Sequence, residues 1–344
     1  MDTQTDWRQI VKKYNKVDSL KSYWQVISTL TLYIATWFLA YEAYQVSLWL
    51  CLGVAILAQV FFGRIFIFMH DCGHGTLFKT KKERTFWGYV TGVIWLTPYW
   101  QWTKGHATHH RNSGNLDGRG SGDIWTLTIK EYEEGSFLLK LAYRICRFPF
   151  FIIFFGGFYA YFLTQRIPHK ADGKRERRSV HLTNLFILLA GAGISLLTDA
   201  KFFIFYQFLL VYIGSAIAVV LFYVQHQFED TYFEKKKDWD YKTAAIEGCS
   251  VLKLPKALHW MSGNIGYHNI HHLSHTIPNY NLPKAYNENE LFQNSTELRI
   301  RDFFRCFNLA VYDSEKGEMI SFKEMKAKTV KSDYKKMFNS CEIV

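Results

Sequence analysis

The sequence predicts an all-α integral membrane protein: four transmembrane helices paired as two hairpins, two further interfacial or re-entrant helices, and a helical cap on the cytoplasmic side. Three observations carry this expectation. The 344 residues fall into long apolar blocks separated by strongly polar ones, so the mean hydropathy of −0.09 averages two solvents rather than describing one. Aromatic residues make up 18% of the chain against only 6 prolines, which excludes a disordered or collagen-like polymer. Basic residues exceed acidic ones by 11, with basic clusters in the loops beside apolar blocks, as the positive-inside rule asks of a membrane protein.

Residues 1–23 are polar and mixed in charge, without an apolar stretch before a small-residue cleavage site. They read as a cytoplasmic segment rather than a removable signal. Residues 24–286 form the membrane domain. About 20 apolar residues cross a bilayer as a helix, and Trp24–Tyr44, Leu48–Met69, Val180–Leu197 and Phe202–Tyr223 approach or exceed that length. Arg64 lies in the second of these, near a polar end to which its stem can snorkel. Two more apolar segments, Phe86–Trp102 and Phe148–Thr164, are shorter or broken by Pro98 and the Gly156-Gly157 pair, and are expected to be interfacial or re-entrant. Residues 287–344 complete the cap; from about Asp313 they are rich in Lys and Glu and are expected to form a solvated helix or tail. The six cysteines show no framework spacing, so a disulfide scaffold is not expected.

Eight of the 13 histidines fall in three groups: His70 and His74; His106, His109 and His110; His268, His271 and His272. Positions i, i+3 and i+4 share a helix face, so each group is expected to point its imidazoles one way. Neutral imidazole suits Fe, Zn, Cu and Ni. Eight such ligands are too many for one four- to six-coordinate ion, which leaves two metal ions as the economical reading. The groups follow the second span, the Phe86–Trp102 segment and the last span. A joint site needs them on one face, so neither broken segment should cross. That parity also places the basic loop Arg166–Arg178 in the cytoplasm, as its charge demands.

These spacings, with the strings HDCGHGTLF, GNLDGRGSGDIW, FYVQHQFEDTYF and GNIGYHNIHHLSHTIPNYNL, resemble the three histidine boxes of the membrane fatty acid desaturases. Among them the sequence is most similar to bacterial acyl-lipid desaturases acting on membrane phospholipids, from the first span to about Tyr286. The resemblance implies a non-haem di-iron oxygenase of the bacterial cytoplasmic membrane, its site on the cytoplasmic face of that membrane and carried by the cap. Two Fe ions with O2 as co-substrate, and electrons from a ferredoxin or flavodoxin, would leave a cis double bond in an acyl chain; a delta-5 product is expected. It also implies that His226, at the end of the fourth span, is a ninth metal ligand. His259 is not expected to ligate, His275 reads as a loop residue, and His169 and His181 as facing solvent or headgroups. No Glu-x-x-His is present, which separates the chain from soluble di-iron bundles.

Metal-bound histidine normally donates its other ring N–H to a carboxylate or carbonyl. Asp71, Asp117, Asp123, Glu229 and Asp230 lie near the boxes in sequence and are candidates for that role, with Asp117 and Glu229 put first. The aromatic residues Trp95, Tyr99, Trp100 and Trp102 run into the second box and are candidates to line an acyl channel. Lys79–Lys82, Arg166–Arg178 and Lys235–Lys237 are placed to attract anionic headgroups or an acidic electron carrier. No nucleic-acid reader motif is present. Two rivals remain at this point: a histidine-box hydroxylase or ketolase with the same ligands, and a membrane haem carrier, which would set single histidines inside the apolar runs.

Overall fold

The computed structural model describes residues 6–120 and 122–330. A short helix, α1 (Trp7–Lys12), precedes a long hairpin of α2 (Ser19–Val46) and α3 (Leu48–His74). Ser47 makes the hairpin turn: its extended backbone closes α2, and its hydroxyl accepts the Trp49 N–H at 3.2 Å to cap α3. With 27 residues, α3 is about 40 Å long and exceeds the hydrocarbon core of about 30 Å. Gly75 ends it in the left-handed conformation at φ 81°, the region that favours glycine. Next, α4 (Lys81–Ile94) opens on a Thr80/Glu83 capping box. Its 14 residues reach only about 21 Å, too short to cross. The chain then turns at Trp95–Pro98 and leaves as α5 (Tyr99–Asn112).

The segment Phe148–Thr164 is expected to be broken at Gly156-Gly157; instead the helix runs through both glycines, and the break lies ahead of it, where it bends away from a preceding helix. After α6 (Ile129–Glu134), α7 (Phe137–Arg147) is strongly amphipathic: Phe137, Leu138, Leu141 and Ile145 are exposed while Tyr143 and Arg147 are buried. The chain bends by 62° into α8 (Pro149–Phe151), which runs on through two widened turns, Ile152–Gly156 and Tyr159–Leu163. The second long hairpin joins α9 (Lys174–Leu197) to α10 (Ala200–His226), and Asp199 caps α10 by accepting the Lys201 and Phe202 N–H groups. A Cβ at Gly157 would meet the Ser215 backbone, so glycine is what lets the bent helix lie against α10.

Four helices, α2, α3, α9 and α10, are long and apolar enough to cross a membrane. Their inner faces bury Ala40, Ala55, Phe62, Tyr206 and Leu210, while Phe38, Leu188, Leu196 and Ile204 remain exposed on an apolar outer surface. Arg64 departs from expectation. Rather than snorkelling it is buried, lies 4.0 Å over the Trp260 ring, and donates to the Trp260 carbonyl and to Thr29 Oγ1. Its charge is spent on clamping the cap to the membrane helices.

The cap contains α11 (Tyr241–Ile246), β1 (Val251–Leu252), α12 (Lys256–Met261), α13 (His268–Leu273), α14 (Leu282–Glu288), β2 (Glu297–Leu298) and α15 (Phe303–Cys306), then β3 (Val311–Asp313) and β4 (Glu318–Ile320). The parallel pair β1–β2 aligns Val251 with Glu297, and the hairpin β3–β4 aligns Val311 with Ile320. The N-terminal segment docks here: Ile10, Val11 and Tyr14 are buried with Ile270, Leu273 and Leu282, and the Tyr14 hydroxyl donates to Glu288 at 2.8 Å. The region after Asp313, expected to be solvated, is partly buried instead. Val311, Ile320 and Met325 pack on Leu127, Tyr132 and Tyr143, and buried Asp313 accepts from Lys328 at 2.7 Å. The remainder of that expectation, residues 331–344, lies outside the described residues.

Candidate metal centre

Four elements converge at one end of the membrane helices. α3 ends with His70 and His74, α5 carries His106, His109 and His110, α10 ends with His226, and α13 carries His268, His271 and His272. Their ring nitrogens form two clusters, within each of which the atoms lie inside 4.8 Å of one another: His70, His74, His106, His110 and His271 in one, His109, His226, His268 and His272 in the other. The clusters cut across the boxes. A helix turns about 100° per residue, so i and i+4 stand about 40° apart whereas i+3 falls about 60° to the other side of i. His70/His74, His106/His110 and His268/His272 therefore stay together, while His109 and His271 turn to the opposite cluster. The expectation that each group points one way is corrected by this angle.

The facing nitrogens are close. His70 Nε2 lies 3.0 Å from His271 Nε2 and His106 Nε2 lies 3.1 Å from His110 Nε2. In the second cluster His226 and His268 stand 2.9 Å apart and His109 and His272 3.2 Å. Neighbouring nitrogens bonded at about 2.1 Å to one ion would be separated by about 3.0 Å at a right angle and about 3.4 Å at the tetrahedral angle, so the donor sets fit metal. The buried Nε2 of His74 has no hydrogen-bond partner among the described residues, as a nitrogen aimed at an ion would. Burial, reinforced by neighbouring imidazoles, holds His106, His110, His271 and His272 well below the ordinary histidine pKa, keeping them neutral and able to ligate.

Each cluster has one imidazole oriented by an aspartate. Asp71 Oδ1 accepts from His70 Nδ1 at 2.8 Å, and its other oxygen accepts from Asn279 Nδ2 at 2.7 Å. Asp123 Oδ1 accepts from His109 Nδ1 at 2.6 Å. Both bonds leave Nε2 with its lone pair directed into the cluster. The other three candidates face elsewhere. Asp117 accepts the Lys236 backbone N–H at 3.0 Å, Glu229 pairs with Arg305 at 2.8 Å on an exposed surface, and Asp230 accepts from Thr296 at 2.7 Å. Near the ends of these polar loops the backbone path, not proximity in sequence, decides which carboxylate reaches a ring.

Among the four aromatic candidates, Trp102 alone meets histidine rings, stacking 4.4 Å from His106. Trp95 is buried against Phe62 and donates to its carbonyl at 2.6 Å, and Tyr99 donates to the Cys72 carbonyl at 2.9 Å; both are packing residues. Trp100 lies under the Arg175 guanidinium at 4.2 Å. Sequence reasoning missed Asn279, Phe222, whose ring is 5.0 Å from both His109 and His226, and Cys249, with Sγ 3.7 Å from His226 Nδ1. It also underrated His275, 5.0 Å from His74 between ring centres; its i+4 spacing from His271 was the available signal. His259 stacks on Tyr267 at 4.7 Å and belongs to neither cluster.

Two histidine clusters able to hold metal, at the ends of helices long and apolar enough to span a bilayer, define a membrane protein with a paired metal-binding centre. The fatty acid desaturase family model matches residues 47–303. The chain is 40% identical over 316 residues to a fatty acid desaturase of Bacillus subtilis (strain 168), covering 92% of this chain and 90% of that protein. It is 27% identical to an sn-1 acyl-lipid omega-3 desaturase (ferredoxin) of Nostoc sp. (strain 36), covering 69% and 67%. It is also 24% identical to an sn-1 oleoyl-lipid 12-desaturase of Picosynechococcus sp. (strain ATCC 27264 / PCC 7002 / PR-6), covering 74% and 70%. The chain belongs to the fatty acid desaturase family, O2-using oxidoreductases of lipid metabolism.

Proposed function

We propose that this protein is a di-iron acyl-lipid desaturase that introduces a cis double bond, at delta-5, into saturated acyl chains of membrane phospholipids. The observation that carries the two-metal reading is the division of nine imidazoles into clusters of five and four. The names of the Nostoc and Picosynechococcus relatives support an acyl-lipid substrate, and the former supports a ferredoxin donor, with a flavodoxin as the equivalent carrier. Residues 24–286 form the catalytic membrane domain, with 1–23 and 287–344 flanking it in the cytoplasm of a bacterial cell. In this reading the hairpin tips at Ser47 and Asp199 lie on the opposite side of the membrane.

Each turnover consumes O2, two electrons and two protons, removes one hydrogen from each of two adjacent methylenes, and releases two waters. His70, His74, His106, His110 and His271 would hold one iron and His109, His226, His268 and His272 a second, and the bound irons would supply the oxygen chemistry that side chains cannot. The protein's part is positional. Asp71 and Asp123 fix the rings of His70 and His109, while Trp102 and Phe222 wall the clusters with apolar surface that keeps bulk water out. Expression in a host without unsaturated fatty acids of its own, with mass spectrometry locating the double bond and metal analysis of the purified protein, tests this. The expected result is a phospholipid-bound delta-5 olefin and two irons per chain. A hydroxylated product, or active protein holding zinc without iron, would overturn it.

A further inference from the structure

We propose that the cleft lined by Lys16, Lys79 and Arg84 holds the phosphate of the phospholipid whose acyl chain is desaturated; this rests on the acyl-lipid reading above. The cleft measures about 450 Å³ and is bounded by these three cations with Val17, Gly75 and Phe78, with no carboxylate among its lining residues. The acids that adjoin lining residues Val17 and Arg84 in sequence are engaged. Glu83 accepts from the Tyr23 hydroxyl at 2.7 Å and from Thr80, and Asp18 caps α2 by accepting the Lys21 N–H. Arg84 is oriented in advance: its Nη1 donates to the Phe78 and Lys79 carbonyls at 2.8 and 2.9 Å. The rest of its guanidinium has no protein acceptor among the described residues, leaving a fixed fork suited to phosphate oxygens.

The surroundings select an amphiphile rather than a protein surface. Leu20 and Trp24, on the first turns of α2, and Phe86 on α4 are exposed, so the lipid-facing surface begins beside the cations. Buried Phe78 gives the recess an apolar floor, packed on Tyr23 and Trp87. Gly75, which lines the cleft, directly follows His74 of the five-histidine cluster, so the cleft and the candidate metal centre share the end of α3. An acidic electron carrier, by contrast, would present carboxylates on a broad convex face and gain nothing from the recessed floor.

Because Arg84 also holds two carbonyls next to the first box, the exposed pair Lys16→Glu/Lys79→Glu is the variant of choice. Metal-loaded wild type and variant are titrated in detergent with dihexanoyl phosphatidylglycerol and with inorganic phosphate by calorimetry, and turned over with dipalmitoyl phosphatidylglycerol. The variant should bind the lipid roughly tenfold more weakly, with KM raised, kcat retained and iron content unchanged. Equal lipid affinity in the two proteins would overturn the proposal. So would inorganic phosphate binding wild type as tightly as the lipid does, which marks a free-anion site, or a defect confined to reduction by ferredoxin, which marks a donor surface. If wild type converts acyl thioesters and no phospholipid, the acyl-lipid reading itself fails; normal phospholipid turnover with unchanged lipid affinity in the variant sinks the cleft alone.

Discussion

His106 and His109 lie one helical turn apart and serve different clusters, so their removal should have different metal signatures. His109→Ala takes one of four donors and His271→Ala one of five. Both should abolish product while the protein stays in the membrane, and His109→Ala should lower iron towards one per chain. His226→Ala should likewise lose iron and product, whereas His259→Ala should keep most of its iron, since its ring only stacks on Tyr267. Asp123→Asn should cost about 10–100-fold in activity or metal affinity, while Glu229→Gln should leave both near wild type. Metal analysis alongside product assays separates these outcomes; full activity in His109→Ala would refute the cluster assignment. The imidazoles were legible because their periodicity is local and rigid. Asp71 and Asp123 stood among the five candidate carboxylates but behind Asp117 and Glu229; their order was not legible, since Asp123 reaches His109 through a loop whose path no spacing rule describes.

At the scale of elements, the two hairpins could be read from apolar length alone, and their turns at Ser47 and Asp199 fall where short polar breaks interrupt it. The amphipathic α7 went unread although its apolar residues recur at helical spacing, and the β3–β4 hairpin was hidden by the charges of Lys316, Glu315 and Glu318 around buried Val311 and Met319. Two predictions belong here. A single cysteine at Gly173, in an otherwise cysteine-free variant, should resist a membrane-impermeant reagent added from outside, since the loop before α9 is basic. Labelling from outside would invert the topology. Gly157→Val should push the bent helix off α10, because the new side chain meets the Ser215 backbone. The expected reading is a lower unfolding temperature, whereas Gly193→Ala, inside α9 with open space around it, should not lower that temperature.

For the whole molecule, the concentration of neutral imidazoles makes the metal-free state sensitive to acid. Folding holds His110, His271 and His272 well below 6.5, chiefly by burial, so the unfolded chain takes up protons that the folded chain refuses. Stability is therefore present above the ordinary histidine value and lost as pH falls below it. The unfolding midpoint of metal-stripped protein should drop between about pH 7 and about pH 5, and a flat profile would show that these rings are not held neutral. The order of the ligands along the chain has a further consequence, for biosynthesis. By residue 110 the five-histidine cluster has four of its donors and waits only for His271, whereas the other has His109 alone until His226, His268 and His272 emerge. A nascent chain therefore completes both membrane hairpins while neither cluster is closed. Both clusters are completed last, by a segment that must fold back from beyond the final span, and α1, already made at the N-terminus, is what that returning segment docks against.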